Sequence, residues 1–178
     1  MRYASGEPLA GVQARALDRH TDERGYFMEI FKDAWEPRVI DPVQWAVVSS
    51  RANVLRGPHL HLNHDEYFML LSGKAYVGLY DVRPDSPTRG KSCLIEFDED
   101  QPAALLFPRG LLHGWYFPVD SVHIQSVSEA YEDYHPHDNL GCHWADPDLN
   151  IPWPTESPIV AARADSFPPL RELLSRIY

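Results

Sequence analysis

The chain has 178 residues, with 16 Lys and Arg against 26 Asp and Glu and a formal net charge of −10. That balance, with no two basic residues adjacent, excludes nucleic acid and anionic membrane surfaces as partners, since both require a basic face. No apolar run reaches bilayer-spanning length, and the opening MRYASGEPLAGVQ lacks the apolar core of a signal peptide, so a cytoplasmic location is expected.

A chain of this length fits one domain, 1–178, burying about two-thirds of its unfolded surface. In chain order, Gly11–Asp18 alternates, with Val12, Ala14 and Ala16 expected on the covered side. Gln44–Ser50, Glu66–Leu71, Ala75–Asp81, Cys93–Phe97, Ala104–Phe107 and His123–Ser128 read as further short strands. Turn chemistry separates them: SGK at 72–74, RPDSPTRGK at 83–91, DEDQP at 98–102 and PRG at 108–110. Near the end, two prolines precede LRELLSRIY, whose Leu170, Leu173, Leu174 and Ile177 have helical spacing, so one helix is expected near 168–177. Many short strands without intervening helices predict an all-β sandwich or barrel. Cys93, within SCLIEF, is expected in the core, and Cys93 and Cys142 are too few for a disulfide framework. No dinucleotide fingerprint, phosphate loop or nucleophile elbow is present.

The chemistry concentrates in RGPHLHLNHDEYFMLLSG, 56–73, where three of nine histidines and two acids fall within eight positions. Histidine suits proton transfer near neutral pH, and His/Glu clusters also suit metals. His135, His137, Cys142 and His143 fit no standard zinc spacing, and the histidines among them are read as surface residues.

Five stretches in order resemble the dTDP-4-dehydrorhamnose 3,5-epimerase family: HTDERGYFMEIF (20–31), SSRANVLRGPH (49–59), DVRPDSPTRGK (81–91), FPRGLLHGW (107–115) and ADPDLNIPWP (145–154). The resemblance spans about residues 8 to 175 and implies a cupin-type double-stranded β-helix acting on a 4-keto nucleotide sugar without a cofactor. It also implies a homodimer in which 11–32 delivers Arg24 and Glu29 to the partner's site. Protons beside the C4 ketone are acidic, so a base, an enolate-stabilising group and an acid suffice. By position, His59 matches the base, His113 the second site histidine, and Gln44 and Arg56 the residues flanking the base. Tyr134 matches the nucleotide-stacking aromatic, and Arg163 a basic position near the diphosphate. Arg24, Arg56 and Arg163 are expected to line one mouth, since only a local cationic cluster holds a diphosphate on so acidic a chain.

The departures concern catalysis. Glu66 replaces the family's lysine, His61 its glutamine, and Ser128 or Gln125 its acid tyrosine, for which Tyr131 is a further substitute. The aspartate that keeps the base active aligns with Ala164, leaving Asp165 one residue on as the orienting carboxylate. An ionised Glu66 would repel an enolate by roughly 4 kcal/mol at 4 Å and an effective dielectric of 20. Three resolutions are open: a protonated Glu66, Glu66 as a base in altered chemistry, or Glu66 holding a cation. For the last, His59, His61, Glu66 and His113 follow the metal-cupin spacing H-x-H-x4-E-x6-G and P-x-G-x2-H, with Phe117 in place of its closing Asn. Three readings follow: an epimerase or isomerase with His59 as base, a metal-dependent cupin on another small substrate, and a nucleotide-sugar-binding protein without catalysis.

Overall fold

The computed structural model describes residues 1–133 and 138–178. Thirteen strands carry it: β1 Arg2–Ser5, β2 Gln13–Ala16, β3 Arg19–Asp22, β4 Gly25–Met28, β5 Gln44–Ser50, β6 Val54–Leu60, β7 Glu66–Ser72, β8 Lys74–Asp81, β9 Ser92–Asp98, β10 Ala103–Phe107, β11 Leu111–Phe117, β12 Ser121–Val127 and β13 Leu140–Gly141. Two helices follow, α1 Ala162–Asp165 and α2 Leu170–Ile177. One sheet runs β1-β9-β8-β11-β6-β13, the other β2-β10-β7-β12-β5, and β3 and β4 form a separate hairpin. Among the described residues the named strands pair antiparallel, and Val54 of β6 also makes a parallel bridge to Ile159. The fold is the expected all-β cupin-type barrel with a short C-terminal helix.

Side-chain alternation explains the two-sided burial. Phe68 and Leu70 of β7 enter the same core as Val77 and Leu79 of β8, Leu105 and Phe107 of β10, and Trp115 and Phe117 of β11. The intervening Tyr67 and Met69 turn outward and are covered by Ile30, Phe31, Trp35 and Ile40. On the far side, Tyr80 and Leu112 pack with Leu149, Leu170 and Leu173, which docks α2. The Asp146 carboxylate accepts from the Leu170 N–H at 2.9 Å, pinning the helix start.

Two expectations shift. In β2 the covered side is Gln13 and Arg15, with Ala14 and Ala16 exposed. The long side chains reach the segment before β5: Gln13 Nε2 donates to the Pro37 carbonyl, Arg15 to that of Glu36, and the Arg15 guanidinium lies over Trp35. The strands β1, β3, β4, β6, β11 and β13 are additional to those expected from alternation.

Candidate active site

Inward-facing positions of several strands meet at one end of the barrel. His59 of β6 lies opposite His113 of β11 on one side and Gly141 of β13 on the other. Glu66 opens β7, where it pairs with Val127 of β12, and Val127 pairs with Gln44 of β5. A cavity of about 230 Å³ results, lined by Gln44, Ala46, His59, His61, Glu66, Gln125, Ser126, Val127, Tyr131 and Asn139.

Two glycines make the wall. Gly57 has φ +87°, and a Cβ there would lie 2.7 Å from the His113 carbonyl oxygen, so only glycine lets β6 and β11 close at this point. A Cβ on Gly141 would stand 2.2 Å from the Phe167 ring. That space admits Phe167, which meets the His59 ring edge-on at 5.7 Å.

His59 is half-buried, and no described carboxylate hydrogen-bonds to its ring. Burial, then the neighbouring His113, His61 and Arg163, hold its pKa below the ordinary imidazole value, so the ring is neutral at pH 7. Burial likewise pushes His61 and His113 down. Burial raises the Glu66 carboxyl, and the rings of His113, His64 and His61 bring it down only by carrying positive charge or donating an N–H, so Glu66 depends on a neighbouring cation or donor to stay ionised.

Glu66 does not project toward His59 alone. Its Oε1 stands 3.4 Å from His61 Nε2, 3.4 Å from His64 Nε2 and 3.7 Å from His113 Nε2. His61, His64 and Glu66 place their ligand atoms within 4.8 Å of one another, whereas His59 is outside that group. Of the set expected for a metal, His59, His61, Glu66 and His113, this group holds His61 and Glu66, joined by His64 from the loop between β6 and β7. The template spacing has no slot for His64, although three histidines within six residues were there to be counted.

The other expected residues divide. Gln44, His61 and Glu66 line the cavity. Gln44 Oε1 accepts the Tyr131 N–H at 2.6 Å, which fixes Tyr131 at the rim. Of the two positions aligned with the acid, Gln125 lines the cavity, whereas Ser128 is engaged by Asp65, whose N–H donates to Ser128 Oγ at 2.8 Å. Arg163 donates to the carbonyl of Asn139, a cavity residue, and lies over Phe167.

Asp165 is a correction. It is exposed at the end of α1, while Ala164 is buried. One residue along a helix turns the side chain by about 100°, so the carboxylate cannot replace the buried position beside it. Phe167 occupies the His59 flank instead.

The three arginines do not converge within one chain. Arg56 donates to Ser50 Oγ and the Ser49 carbonyl on β5, and Arg24 is exposed at the β3–β4 tip, paired with Asp22 at 2.5 Å. Glu29 pairs with Lys32 at 2.5 Å outside the cavity. Tyr134, His135 and His137 lie outside the described residues. His143 is half-buried rather than on the surface, its Nδ1 accepting the Ala145 N–H, and Cys142 and Cys93 are buried thiols.

Residues 7–172 match the family model described as dTDP-4-dehydrorhamnose 3,5-epimerase. The chain is 31% identical over 153 residues to the spore coat polysaccharide biosynthesis protein SpsL of Bacillus subtilis, covering 83% of this chain and 98% of that one. It is 30% identical over 161 residues to a dTDP-4-dehydrorhamnose 3,5-epimerase of Methanothermobacter thermautotrophicus, covering 86% of each. Among solved structures, a dTDP-4-dehydrorhamnose 3,5-epimerase from Bacillus anthracis with TDP and PPi bound superposes with a TM-score of 0.82 at 28% identity, over 89% of this chain and 94% of that one.

Proposed function

The chain belongs to the dTDP-4-dehydrorhamnose 3,5-epimerase family, and on that premise we propose that His59 is the base of a nucleotide-sugar isomerase acting on a 4-keto-6-deoxy sugar. The observation that carries this reading is the His59 imidazole at the wall of a polar cavity of about 230 Å³, on the strand position that matches the family's base.

The neutral His59 ring takes the proton from the carbon beside the ketone, and electron density moves to the ketone oxygen. That oxygen needs donors. Gln44 Oε1 is occupied by the Tyr131 N–H and Gln125 Oε1 by His123 Nε2 at 3.2 Å, which leaves both amide nitrogens as the donors these side chains can aim into the cavity. Tyr131, which lines the same cavity at its rim, is the phenol assigned to return a proton, and inversion follows when acid and base act on opposite faces. Arg163 beside Asn139 suits the diphosphate, with dTDP the proposed carrier.

A homodimer fits the outer surface. The free edge strand β5 exposes Trp45 and Val47, and the β3–β4 hairpin exposes Tyr26 and Phe27. A partner covering these groups would also receive Arg24 and Glu29. Among the described residues no helix is long and apolar enough to cross a membrane, and the buried free thiols suit a reducing cytoplasm.

Exchange of solvent deuterium into a dTDP-4-keto-6-deoxy sugar, followed by mass spectrometry, tests the reading. Wild type incorporates label beside the ketone, and His59→Asn loses exchange by about 10²–10⁴-fold, the usual worth of a general base. Undiminished exchange in that variant places the base elsewhere and defeats the assignment.

A further inference from the structure

The sub-cluster behind the cavity wall has a geometry that proton transfer does not use. One carboxylate oxygen, Glu66 Oε1, lies 3.4, 3.4 and 3.7 Å from the Nε2 atoms of His61, His64 and His113. Ligands about 2.1 Å from a tetrahedral metal ion are separated by about 3.4 Å along each edge of the tetrahedron. All four side chains are buried, with residue exposures of 0 to 8%.

Tautomers decide what these nitrogens offer. His61 Nδ1 faces the backbone carbonyl of Asp138, and His113 Nδ1 faces that of Leu111 at 3.0 Å. A carbonyl only accepts, so both Nδ1 atoms carry the proton. His64 Nδ1 faces the Asp138 carboxylate at 2.9 Å and donates to it. With Nδ1 protonated, the Nε2 atoms of His61 and His113 are lone pairs in the neutral rings, and His64 Nε2 faces the same Glu66 oxygen at 3.4 Å. Outward Nδ1–H bonds to carbonyl and carboxylate are how proteins orient imidazoles toward a metal.

Asp138 ties the arrangement together. Its carbonyl orients His61, one carboxylate oxygen orients His64, and the other accepts the backbone N–H groups of Leu62 and Asn63, closing the loop that carries His64.

We propose that His61, His64 and Glu66 bind one divalent first-row transition-metal ion, with His113 as the adjoining fourth donor and Asp138 as the residue that positions the imidazoles. Three imidazole nitrogens and one carboxylate suit zinc, iron, nickel or manganese rather than the all-oxygen preference of magnesium or calcium. The set differs from the cupin spacing in using His64 and releasing His59, which leaves His59 free as a base. Since His61 and Glu66 also line the cavity, a bound ion supplies positive charge at the wall where the family's lysine would stand. The binding claim stands without the isomerase reading.

The test strips the purified full-length protein with a chelator and adds back zinc or cobalt. Wild type takes up one ion per chain by elemental analysis, melts at a higher temperature with zinc, and gives the visible absorption of four-coordinate cobalt(II). His64→Gln loses stoichiometric binding, and Asp138→Asn weakens affinity by about 10–100-fold, the cost of losing an outer partner. His59→Asn keeps one ion per chain. Failure of wild type to bind either ion, or to shift its melting temperature, overturns the site. Metal lost in His59→Asn but kept in His64→Gln overturns the ligand assignment in favour of the cupin spacing. If His64→Gln fails to fold, the wild-type stoichiometry and cobalt spectrum still decide binding, and His59→Asn still decides the ligand set.

Discussion

Two buried carboxylates, Asp81 at the end of β8 and Glu66 at the start of β7, show opposite solutions to one problem. Asp81 is fully buried and met by donors: the Arg83 N–H and guanidinium at 2.7–3.0 Å, and the Ser86 and Thr88 hydroxyls at 2.6 Å. Glu66 meets three imidazole Nε2 atoms, of which those of His61 and His113 belong to rings whose Nδ1–H points the other way, to a backbone carbonyl. A buried charge surrounded by donors is structural, because its desolvation is already compensated. A buried charge surrounded by lone pairs is built for a cation. One carboxylate shapes the 82–91 loop, and the other belongs to the chemistry.

Glu66→Gln attacks the second half of this contrast and should have the largest effect. Removing a proposed ligand should cost bound metal and solvent exchange together, by more than the roughly 10–100-fold of an outer partner. Elemental analysis and deuterium exchange on the same preparation check this. If exchange survives or improves while no metal is bound by either protein, Glu66 is a burden on the enolate, and the contrast with Asp81 loses its functional meaning.

Asp81→Ala attacks the first half. It strands Arg83, Ser86 and Thr88 and should destabilise by about 3–5 kcal/mol, as breaking a buried pair does. At about 2–4 °C per kcal/mol for a chain of this size, melting falls on the order of 10 °C, while metal content and exchange per folded molecule stay unchanged. Acid gives a milder version. Burial alone would raise the Asp81 carboxyl, but the hydrogen bonds from Arg83, Ser86 and Thr88 outweigh it and lower it from 3.8 to about 2. Because the folded value lies below the unfolded one, the stabilisation is present above pH 4 and lost as pH falls through about 2. Its size is roughly 2 kcal/mol, from 1.36 kcal/mol per unit. Urea unfolding at pH 5 and pH 2 should show wild type and Asp81→Asn converging at the lower value.

The two carboxylates also differ in how legible they were. β5 matches its expected bounds, Gln44–Ser50, and β7 to β10 and α2 lie close to theirs, because alternation and helical spacing are local signals. β6 contains Gly57-Pro58, which argues against a strand interior, and β11 is buried at all seven positions, which erases alternation. These two strands carry His59 and His113, so the site was visible as motifs before it was visible as structure. His64 could not be assigned from spacing, since its partner Asp138 lies 74 residues away. Asp165 failed because residue alignment carries no information about helix phase.

Glu96 supplies the small end of the scale. Its residue exposure is 7%, but its partners Arg2 and Lys74 are 74% and 33% exposed at the side chain, with Lys74 Nζ at 2.5 Å. Water therefore screens both pairs from the cationic side, and losing the carboxylate returns Arg2 and Lys74 to solvent rather than stranding them. Glu96→Gln should cost about 0.2–1 kcal/mol, the range for solvent-exposed pairs. The loss should shrink as salt rises from 0.05 to 0.5 M, since the screening length then falls below about 5 Å. Asp81→Ala, with its donors covered, should show little salt dependence. A cost above about 2 kcal/mol for Glu96→Gln, unchanged by salt, would mean that covering the carboxylate outweighs the solvation of its partners. Donor accounting would then no longer separate Asp81 from Glu66.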